Sequence, residues 1–224
     1  DNVKYIYFSD KKTSVSDGWE LKIIEGLEHL DDKDKNRYIK MNPHKFLKEF
    51  DMSIYIDSNI KIINKLTNIF SKVKQDGGSI FMYEHPFRNC TYIELETMVN
   101  QGLTGFSKAK KQYMKYKSLS FPTNFGLFEA NIIIRKHDNN SQRLMEFWWN
   151  EYRESTKRDQ TSLMFASYQT GVPISTLGQC NLREGGDYFY LDISKRIRNF
   201  KSKIKNQVVR ILNFIISVSG ASLK

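Results

Sequence analysis

Met52-Ser53-Ile54-Tyr55-Ile56-Asp57-Ser58-Asn59 is the stretch that decides the fold. Its first five residues are mainly apolar, β-branched or aromatic, and such a run is typical of a buried strand. Three polar residues then end the strand in a turn. Ligands of open α/β sheets bind beyond the carboxyl ends of the strands, so we expect Asp57 at a functional edge. Taken alone, the same turn is better interpreted as a simple helix cap.

Strand-like and helix-like segments alternate on both sides of this stretch. This alternation predicts an α/β fold with a mixed sheet that helices cover on both faces. The other predicted strands are residues 3–8, 19–24, 79–83, 127–135 and 173–177. The predicted helices are residues 36–50 with an interruption at Pro43, then 60–73, 92–101, 108–116, 141–155 and 159–168. The Trp148-Trp149 pair on one of these helices is predicted to lie in the core.

The net charge of +10 is concentrated at the C-terminal end of the 224 residues. Eight Lys or Arg and no acidic residue follow position 194, and 27 basic and 25 acidic residues precede it. The nearly neutral body argues against a nucleic-acid-binding protein. Cys90 and Cys180 are too few for a disulfide framework or a zinc cluster, which favours a reducing cytosolic compartment. No apolar run is long enough to span a bilayer.

Two predicted strand ends carry candidate ligands. Asp57 and Asn59 offer two oxygen atoms to one Mg²⁺ or Mn²⁺ ion, and such an ion also binds diphosphate oxygens. His85 and Arg88 follow the next strand, where Arg can hold phosphate in a bidentate way. Taken alone, this second pair is better interpreted as a loop histidine and a surface arginine. The predicted donor-binding residues are Lys40, His44, Asp57, Ser58, Asn59, His85 and Arg88.

The candidate catalytic residues are Asp159, Gln160 and Glu129. Asp159 opens a predicted helix, where an Asp is usually a cap, but its carboxylate can also face a reacting sugar or hydroxyl. Glu129 and Arg135 flank one strand, and we expect one of them to line the site and the other to be structural. Lys40 and His44 are interpreted equally well as solvated helix residues.

Taken together, these segments resemble a known family. It is the glycosyltransferase-like domain of plant mucilage-related proteins and of bacterial capsule and surface-polysaccharide clusters, long catalogued as a domain of unknown function. The resemblance depends on order and spacing across residues 5–165. Its main pieces are Gly18-Trp19, Arg37 with Lys40, Pro43-His44, the turn from Asp57 to Asn59, His85-Pro86 with Arg88, Tyr92 with Glu94, Glu129 with Arg135 and His137, and Arg158-Asp159-Gln160.

The resemblance implies a GT-A-like fold and a nucleotide-sugar donor. Asp57 then occupies the metal-binding turn, with Asn59 where many relatives of the wider fold have a second Asp. Asp159-Gln160 resembles a pair that opens a helix in several retaining families, which favours retention of configuration; for inversion, Asp159 or Glu129 is the candidate base. Family members usually have one more strand before residues 5–8, so we expect a domain over residues 1–192 that lacks its first strand.

The predicted function is transfer of a hexose or related sugar to a glycan or lipid-linked acceptor in capsule or other polysaccharide biosynthesis. Two alternatives stay open. One is a metal-dependent hydrolase that uses Asp57, His85 and Asp159. The other is a non-catalytic, membrane-associated module derived from the same fold, which the missing strand and Asn59 make credible.

The C-terminal segment, residues 193–224, is predicted to be a basic amphipathic helix. Its apolar residues recur at steps of three and four among seven basic residues from Lys195 to Arg210. Helices of this type lie on anionic membranes, so we expect residues 195–216 to place the protein at the cytoplasmic face of the membrane. Packing on its own domain or on a partner chain is the alternative. Nucleic acid is not an expected partner, because the segment lacks base-stacking aromatics.

Overall fold

A computed structural model describes residues 3–192, 200–220 and 222–223, and it shows a mixed α/β fold. Strands and helices alternate along most of the chain. The strands are β1 (Tyr5–Ser9), β2 (Trp19–Ile23), β3 (Met52–Ile56), β4 (Ile60–Ile62), β5 (Ile80–Glu84), β6 (Phe128–Lys136), β7 (Ser175–Gln179) and β8 (Phe189–Leu191). The helices are α1 (Asp32–Met41), α2 (Pro43–Phe46), α3 (Thr67–Gln75), α4 (Thr91–Asn100), α5 (Phe106–Ser118), α6 (Asn139–Glu154), α7 (Asp159–Thr170) and α8 (Phe200–Val218).

Four strands form the central sheet in the order β3-β6-β5-β7. β6 runs antiparallel to β3 and to β5, and β7 runs parallel to β5. The carboxyl ends of β3 and β5 therefore reach the same edge of the sheet, and the first residues of β6 lie between them. This edge receives Asp57 from β3, His85 from β5 and Glu129 from β6. The predicted mixed sheet is confirmed.

Side chains of the sheet alternate between two apolar layers. Ile80 and Met82 of β5 pack with residues of α4 to α7, including Trp148. Phe81 and Tyr83 point the other way and pack with residues of α3, β4 and β8. Helices therefore cover both faces of the sheet, and the predicted core position of the two tryptophans is confirmed, since Trp148 and Trp149 are buried.

The predicted helix over residues 60–73 is wrong in its first part. Ile60–Ile62 forms β4, which pairs antiparallel with β8, a strand that the sequence patterns do not predict. The helix in this region, α3, begins at Thr67. Ile60 and Ile62 suit either a strand or a helix face, and the pairing with β8, far along the chain, decides for the strand.

One buried asparagine anchors α8 to the body of the protein. The Oδ1 atom of Asn213 accepts the backbone N–H of Phe106 at 2.9 Å. Its Nδ2 donates to the carbonyls of Val99 and Thr104 at 2.8 and 3.1 Å. In the part of the chain that the structure describes, no helix combines the length and the apolar character needed to cross a bilayer. The predicted basic residues Lys195, Arg196 and Arg198 lie outside the described residues.

Candidate active site

Asp57 lies at the carboxyl end of β3 with its side chain half-buried. Its backbone N–H donates to the carbonyl of Asn131 on β6 at 2.9 Å. Its Oδ1 accepts the hydroxyl of Tyr55 at 2.7 Å. Ser58 is exposed and Asn59 is half-buried in the turn that leads to β4. Tyr55 therefore holds the Asp57 carboxylate at the edge of the sheet, outside the core.

Two cations of α1 hold Asp159, the first residue of α7. Its Oδ2 lies 2.5 Å from the Nζ of Lys40 and 2.9 Å from the Nε of Arg37. Burial alone raises the pKa of Asp159, but the charges of Lys40 and Arg37 hold that pKa well below its usual range. The indole N–H of Trp148 donates to the backbone carbonyl of Asp159 at 2.9 Å. Asp159 is thus a fixed anion and a poor proton acceptor near neutral pH.

Lys40 lies beneath the site. Its side chain is completely buried. The ammonium group is 5.2 Å from the ring centre of Tyr55 and 5.8 Å from that of Trp148. The buried ammonium pairs with Asp159 and neutralises its charge. The role of Lys40 in donor binding stays a prediction.

Arg37 pairs with Asp159 and lies within range of the charge of Asp57. It lies three residues before Lys40 on α1, so both side chains leave the same face of that helix. Burial alone lowers the pKa of Arg37, but Asp159 and, next, Asp57 raise it. The Arg37 side chain is 21% exposed, whereas Lys40 is fully buried, so Arg37 reaches the open edge. The structure therefore brings Asp57 and Asp159 into one site.

His85 is buried at the carboxyl end of β5. Its Nδ1 accepts the backbone N–H groups of Phe87 and Arg88, each at 3.1 Å. Its Nε2 lies 2.9 Å from Nη2 of Arg88 and 3.6 Å from Oε1 of Glu129. Burial and then the charge of Arg88 lower the pKa of His85 to about 4. The neutral imidazole orders this loop by accepting both backbone N–H groups, and its Nε2 faces Arg88 and Glu129.

Arg88 also pairs with a carboxylate on α4. Its Nε lies 2.5 Å from Oε2 of Glu94. Burial raises the pKa of Glu94, and the charge of Arg88 partly offsets this effect. A guanidinium has five N–H donors in a planar fork. Arg88 can therefore hold Glu94 and still donate to a phosphate oxygen.

Glu129 enters from β6, between the ends of β3 and β5. It is opposite Tyr83 in the strand register, and its side chain is 28% exposed. Burial and then the charge of Glu94 raise the pKa of Glu129. A carboxyl group with a raised pKa at an open edge is suited to proton exchange. Arg135, near the other end of β6, is buried and donates to Oγ of Ser53 at 3.2 Å, so it is the structural member of the pair.

Gln160 ties the start of α7 to the start of β6. Its side-chain amide donates to the carbonyl of Phe128 at 3.1 Å, and its backbone N–H donates to Oδ1 of Asp159 at 3.2 Å. Because Phe128 directly precedes Glu129 in β6, these contacts bring the Gln160 side chain close to Glu129. The arrangement suits a residue that positions Asp159 and Glu129.

His44 lies apart from this group. Its Nε2 is 3.3 Å from Oε1 of Glu146 on α6. Burial lowers the pKa of His44, and the neighbouring charges include Arg135 and His137. Arg135 pairs with the beginning of β3, at the end opposite to Asp57. The structure therefore places His44 away from Asp57, and its role in donor binding stays a prediction.

A cleft of about 610 Å³ opens beside His85 and Arg88. Two exposed aromatic rings line it, with Phe87 68% and Phe125 40% exposed. Its remaining lining mixes polar and apolar groups and includes Glu84, Asn89, Met164, Ser167, Ile174 and Gln179. Exposed rings beside polar groups suit a ligand that has both apolar and hydroxyl-bearing faces.

Asp57 and Asn59 can hold a divalent cation only if other groups supply most of its ligands. They offer one carboxylate and one amide oxygen. Among the described residues, no three His, Cys, Asp or Glu side chains are grouped as a metal site. Mg²⁺ commonly keeps several waters and shares protein carboxylates with substrate phosphates. The pair therefore fits a cation that binds together with a diphosphate. Asn131 adds a buried Oδ1 that has no hydrogen-bond partner in the described part of the chain.

Sequence patterns assign no role to four residues of this site: Arg37, Tyr55, Glu94 and Arg158. Arg158 lies within range of the charges of Asp159, Arg37 and Glu94. For two of them, the spacing in the sequence indicates a place in the site. Arg37 shares a helix face with Lys40, and Tyr55 shares a strand face with Asp57. The partners of Glu94 and Arg158 come from other segments, so no local pattern reveals them.

Comparison with family models matches residues 7–183 to TOD1/MUCI70, glycosyltransferase-like domain. Comparisons with curated proteins and with solved structures give no match. The matched segment contains every site residue from Arg37 to Gln160, and it ends before α8. The predicted family is confirmed. The chain belongs to the TOD1/MUCI70 glycosyltransferase-like domain family.

Proposed function

We propose that this protein is a glycosyltransferase that moves a sugar from a nucleoside-diphosphate donor to a glycan or lipid-linked acceptor. The family match supports transferase chemistry. The observation that carries the proposal is the meeting of three carboxyl groups, Asp57, Asp159 and Glu129, with Arg37 and Arg88 at one edge of the sheet. Such a set supplies what this transfer needs, namely groups that stabilise an anionic leaving group and a group that accepts a proton.

The donor diphosphate binds at Asp57 and Asn59 together with Mg²⁺ or Mn²⁺. When bound, the cation offsets the charge of the departing diphosphate. The Tyr55 hydroxyl keeps the Asp57 carboxylate in position. Arg88, held by Glu94, donates to a phosphate oxygen from the loop that follows β5. Preorganised charges of this kind require little rearrangement as the bond breaks.

Glu129 is the carboxyl group best suited to take the acceptor proton in an inverting transfer. Burial raises its pKa, whereas Lys40 and Arg37 keep the pKa of Asp159 too low for this role. Asp159 instead keeps Arg37 at the edge. In a retaining transfer, the leaving phosphate takes the proton, and Glu129 faces the sugar ring.

The acceptor enters through the cleft beside His85 and Arg88. Phe87 and Phe125 provide rings on which a sugar can lie, and Gln179 and Asn89 provide hydrogen-bonding groups. This places the acceptor hydroxyl on the side of the site where Glu129 and His85 lie.

A thermal-shift screen of nucleotide sugars, with and without Mn²⁺, tests the proposal. A ligand that binds the native state at about 100 times its Kd stabilises it by about 2.7 kcal/mol, which raises the melting temperature. Release of the nucleoside diphosphate is then measured with glycan acceptors. Release that depends on the acceptor supports transfer, and release without an acceptor would assign a hydrolase. Failure of every nucleotide sugar to bind would favour a non-catalytic module.

Glu129→Gln tests the proton-accepting role. We expect kcat to fall by about 100-fold or more, because a base contributes about 10²–10⁴-fold. The wild-type rate should fall as the pH decreases through the pKa of Glu129, which lies above the ordinary 4.5, since the base must be deprotonated. The variant should lose this acid limb. Glu146→Gln, at the other end of the sheet, is the matched control. If the pH profile of Glu129→Gln matched that of the wild type, the acceptor proton would be assigned to the donor phosphate, as in a retaining transfer.

A further inference from the structure

The side of α8 that faces away from the body carries a broad apolar surface. Five side chains on this side are between 48% and 58% exposed. They are Ile204, Val208, Ile211, Leu212 and Ile215, and we call them the α8 apolar surface. At 3.6 residues per turn they cover about 100° of the helix circumference. Such a wide apolar face normally lies against another apolar phase.

Asn213 determines which way this surface points. It lies on the opposite side of α8, is 6% exposed and makes three hydrogen bonds to backbone groups around the ends of α4 and α5. Gly102 lies under the same side, where an added Cβ would approach the Asn206 carbonyl oxygen to 2.1 Å. The polar side of α8 is thus packed on the body. The apolar surface stays exposed in the part of the chain that the structure describes.

Basic residues flank the α8 apolar surface. Lys205 and Arg210 lie on its two sides by helical geometry. From position 193 to the C-terminus the sequence has eight Lys or Arg and no acidic residue. The charge of residues 193–224 therefore complements an anionic surface. Outside this segment, the acidic residue Glu96 of α4 lines the groove beside Arg210.

A groove of about 770 Å³ lies between α8 and the ends of α4 and α5. Val99, Phe106 and Leu223 supply much of its apolar lining. Ile211 belongs to both the groove and the α8 apolar surface. Polar side chains complete the lining of the groove. The groove therefore adjoins the α8 apolar surface on one side.

We propose that α8 docks the protein on an anionic lipid bilayer, with the helix parallel to the membrane plane. The apolar surface enters the boundary between headgroups and acyl chains, and the flanking cations contact the headgroups. A second copy is a poorer occupant, because two such helices would face each other with cations only and no acidic partner in the segment. The proposal does not depend on the transferase activity, and it places the site close to a lipid-linked acceptor.

Flotation of the full chain with lipid vesicles tests the proposal. The wild-type protein is expected to bind vesicles of phosphatidylcholine that contain phosphatidylglycerol, and to bind phosphatidylcholine alone far more weakly. Ile215→Asp should weaken this binding by about 100-fold, because it removes an inserted apolar side chain and adds a negative charge. Ile63→Asp is the matched control, since Ile63 is 56% and Ile215 is 58% exposed. It should bind like the wild type.

Three results would overturn the proposal. The first is unchanged flotation of Ile215→Asp, and the second is equal binding to both kinds of vesicle. The third is a wild-type dimer that binds no vesicles and becomes a monomer in Ile215→Asp, which would assign the surface to a second copy. Melting curves of both variants should match that of the wild type, because both replaced side chains are exposed.

Discussion

Asp57→Asn is expected to reduce transfer at least ~100-fold while leaving the fold intact. The amide keeps the size of the carboxylate and still accepts the Tyr55 hydroxyl, so the geometry at the end of β3 is retained. What it loses is the negative charge that we propose holds a cation with the donor diphosphate. The measurement is the rate of acceptor-dependent release of the nucleoside diphosphate across a Mn²⁺ titration.

Asp51→Asn is the matched control, because Asp51 is exposed and precedes the same strand at its other end. It should transfer at the wild-type rate. A rise in the Mn²⁺ concentration needed for half-maximal activity in Asp57→Asn would assign the loss to the cation. Full activity of Asp57→Asn at every Mn²⁺ concentration would show that Asp57 does not hold the donor.

Asp159→Asn is expected to lower the free energy of unfolding by about 3–5 kcal/mol, because removing one partner leaves a buried charge uncompensated. Lys40 is fully buried, and its ammonium lies 2.5 Å from the Asp159 carboxylate. Urea unfolding measures the change as a shift in midpoint at constant slope. Asp32→Asn serves as a control, since that side chain is 99% exposed and its midpoint should hardly move.

Adding Lys40→Met to Asp159→Asn should restore much of the lost stability, since the orphaned charge is then removed and the two sites are coupled. If the double variant is no more stable than Asp159→Asn, the pair does not act as a buried ion pair.

The acid dependence of stability provides a second measure of the same interaction. The folded-state pKa of Asp159 lies below its ordinary value of 3.8, so its contribution is present above that pH and is lost as the pH falls below it. The wild type should therefore lose stability at acid pH more steeply than Asp159→Asn. If the free energy of unfolding fell equally with decreasing pH in both proteins, the lowered pKa of Asp159 would be contradicted.

Strands with a strong local pattern are predictable from the sequence. The predicted strand that ends before Asp57 coincides with β3, Met52–Ile56. β8 escapes prediction, because Phe189–Leu191 is short and is stabilised by pairing with β4. Ile60–Ile62 is predicted as a helix because its apolar residues suit both a helix and a strand. The strand that pairs with it, β8, lies far along the chain.

The candidate site residues also divide into those that the sequence locates and those that only the structure locates. Asp57, His85 and Glu129 are found from their places at strand ends, because strand direction alone brings those ends together. Lys40 and His44 have the same kinds of local signal, yet one is buried under Asp159 and the other lies at the opposite end of the sheet. Only the packing of α1 and α2 on the sheet decides where each of them lies.

The sequence by itself determined the alternation of strands and helices, the polar turn after β3 and the amphipathic pattern of α8, because these depend on residues only a few positions apart. The tertiary structure decided which carboxyl group is neutralised, which one has a raised pKa and which way α8 faces. Burial and ion pairing depend on groups brought together from distant segments, as Lys40 and Asp159 are across 119 positions.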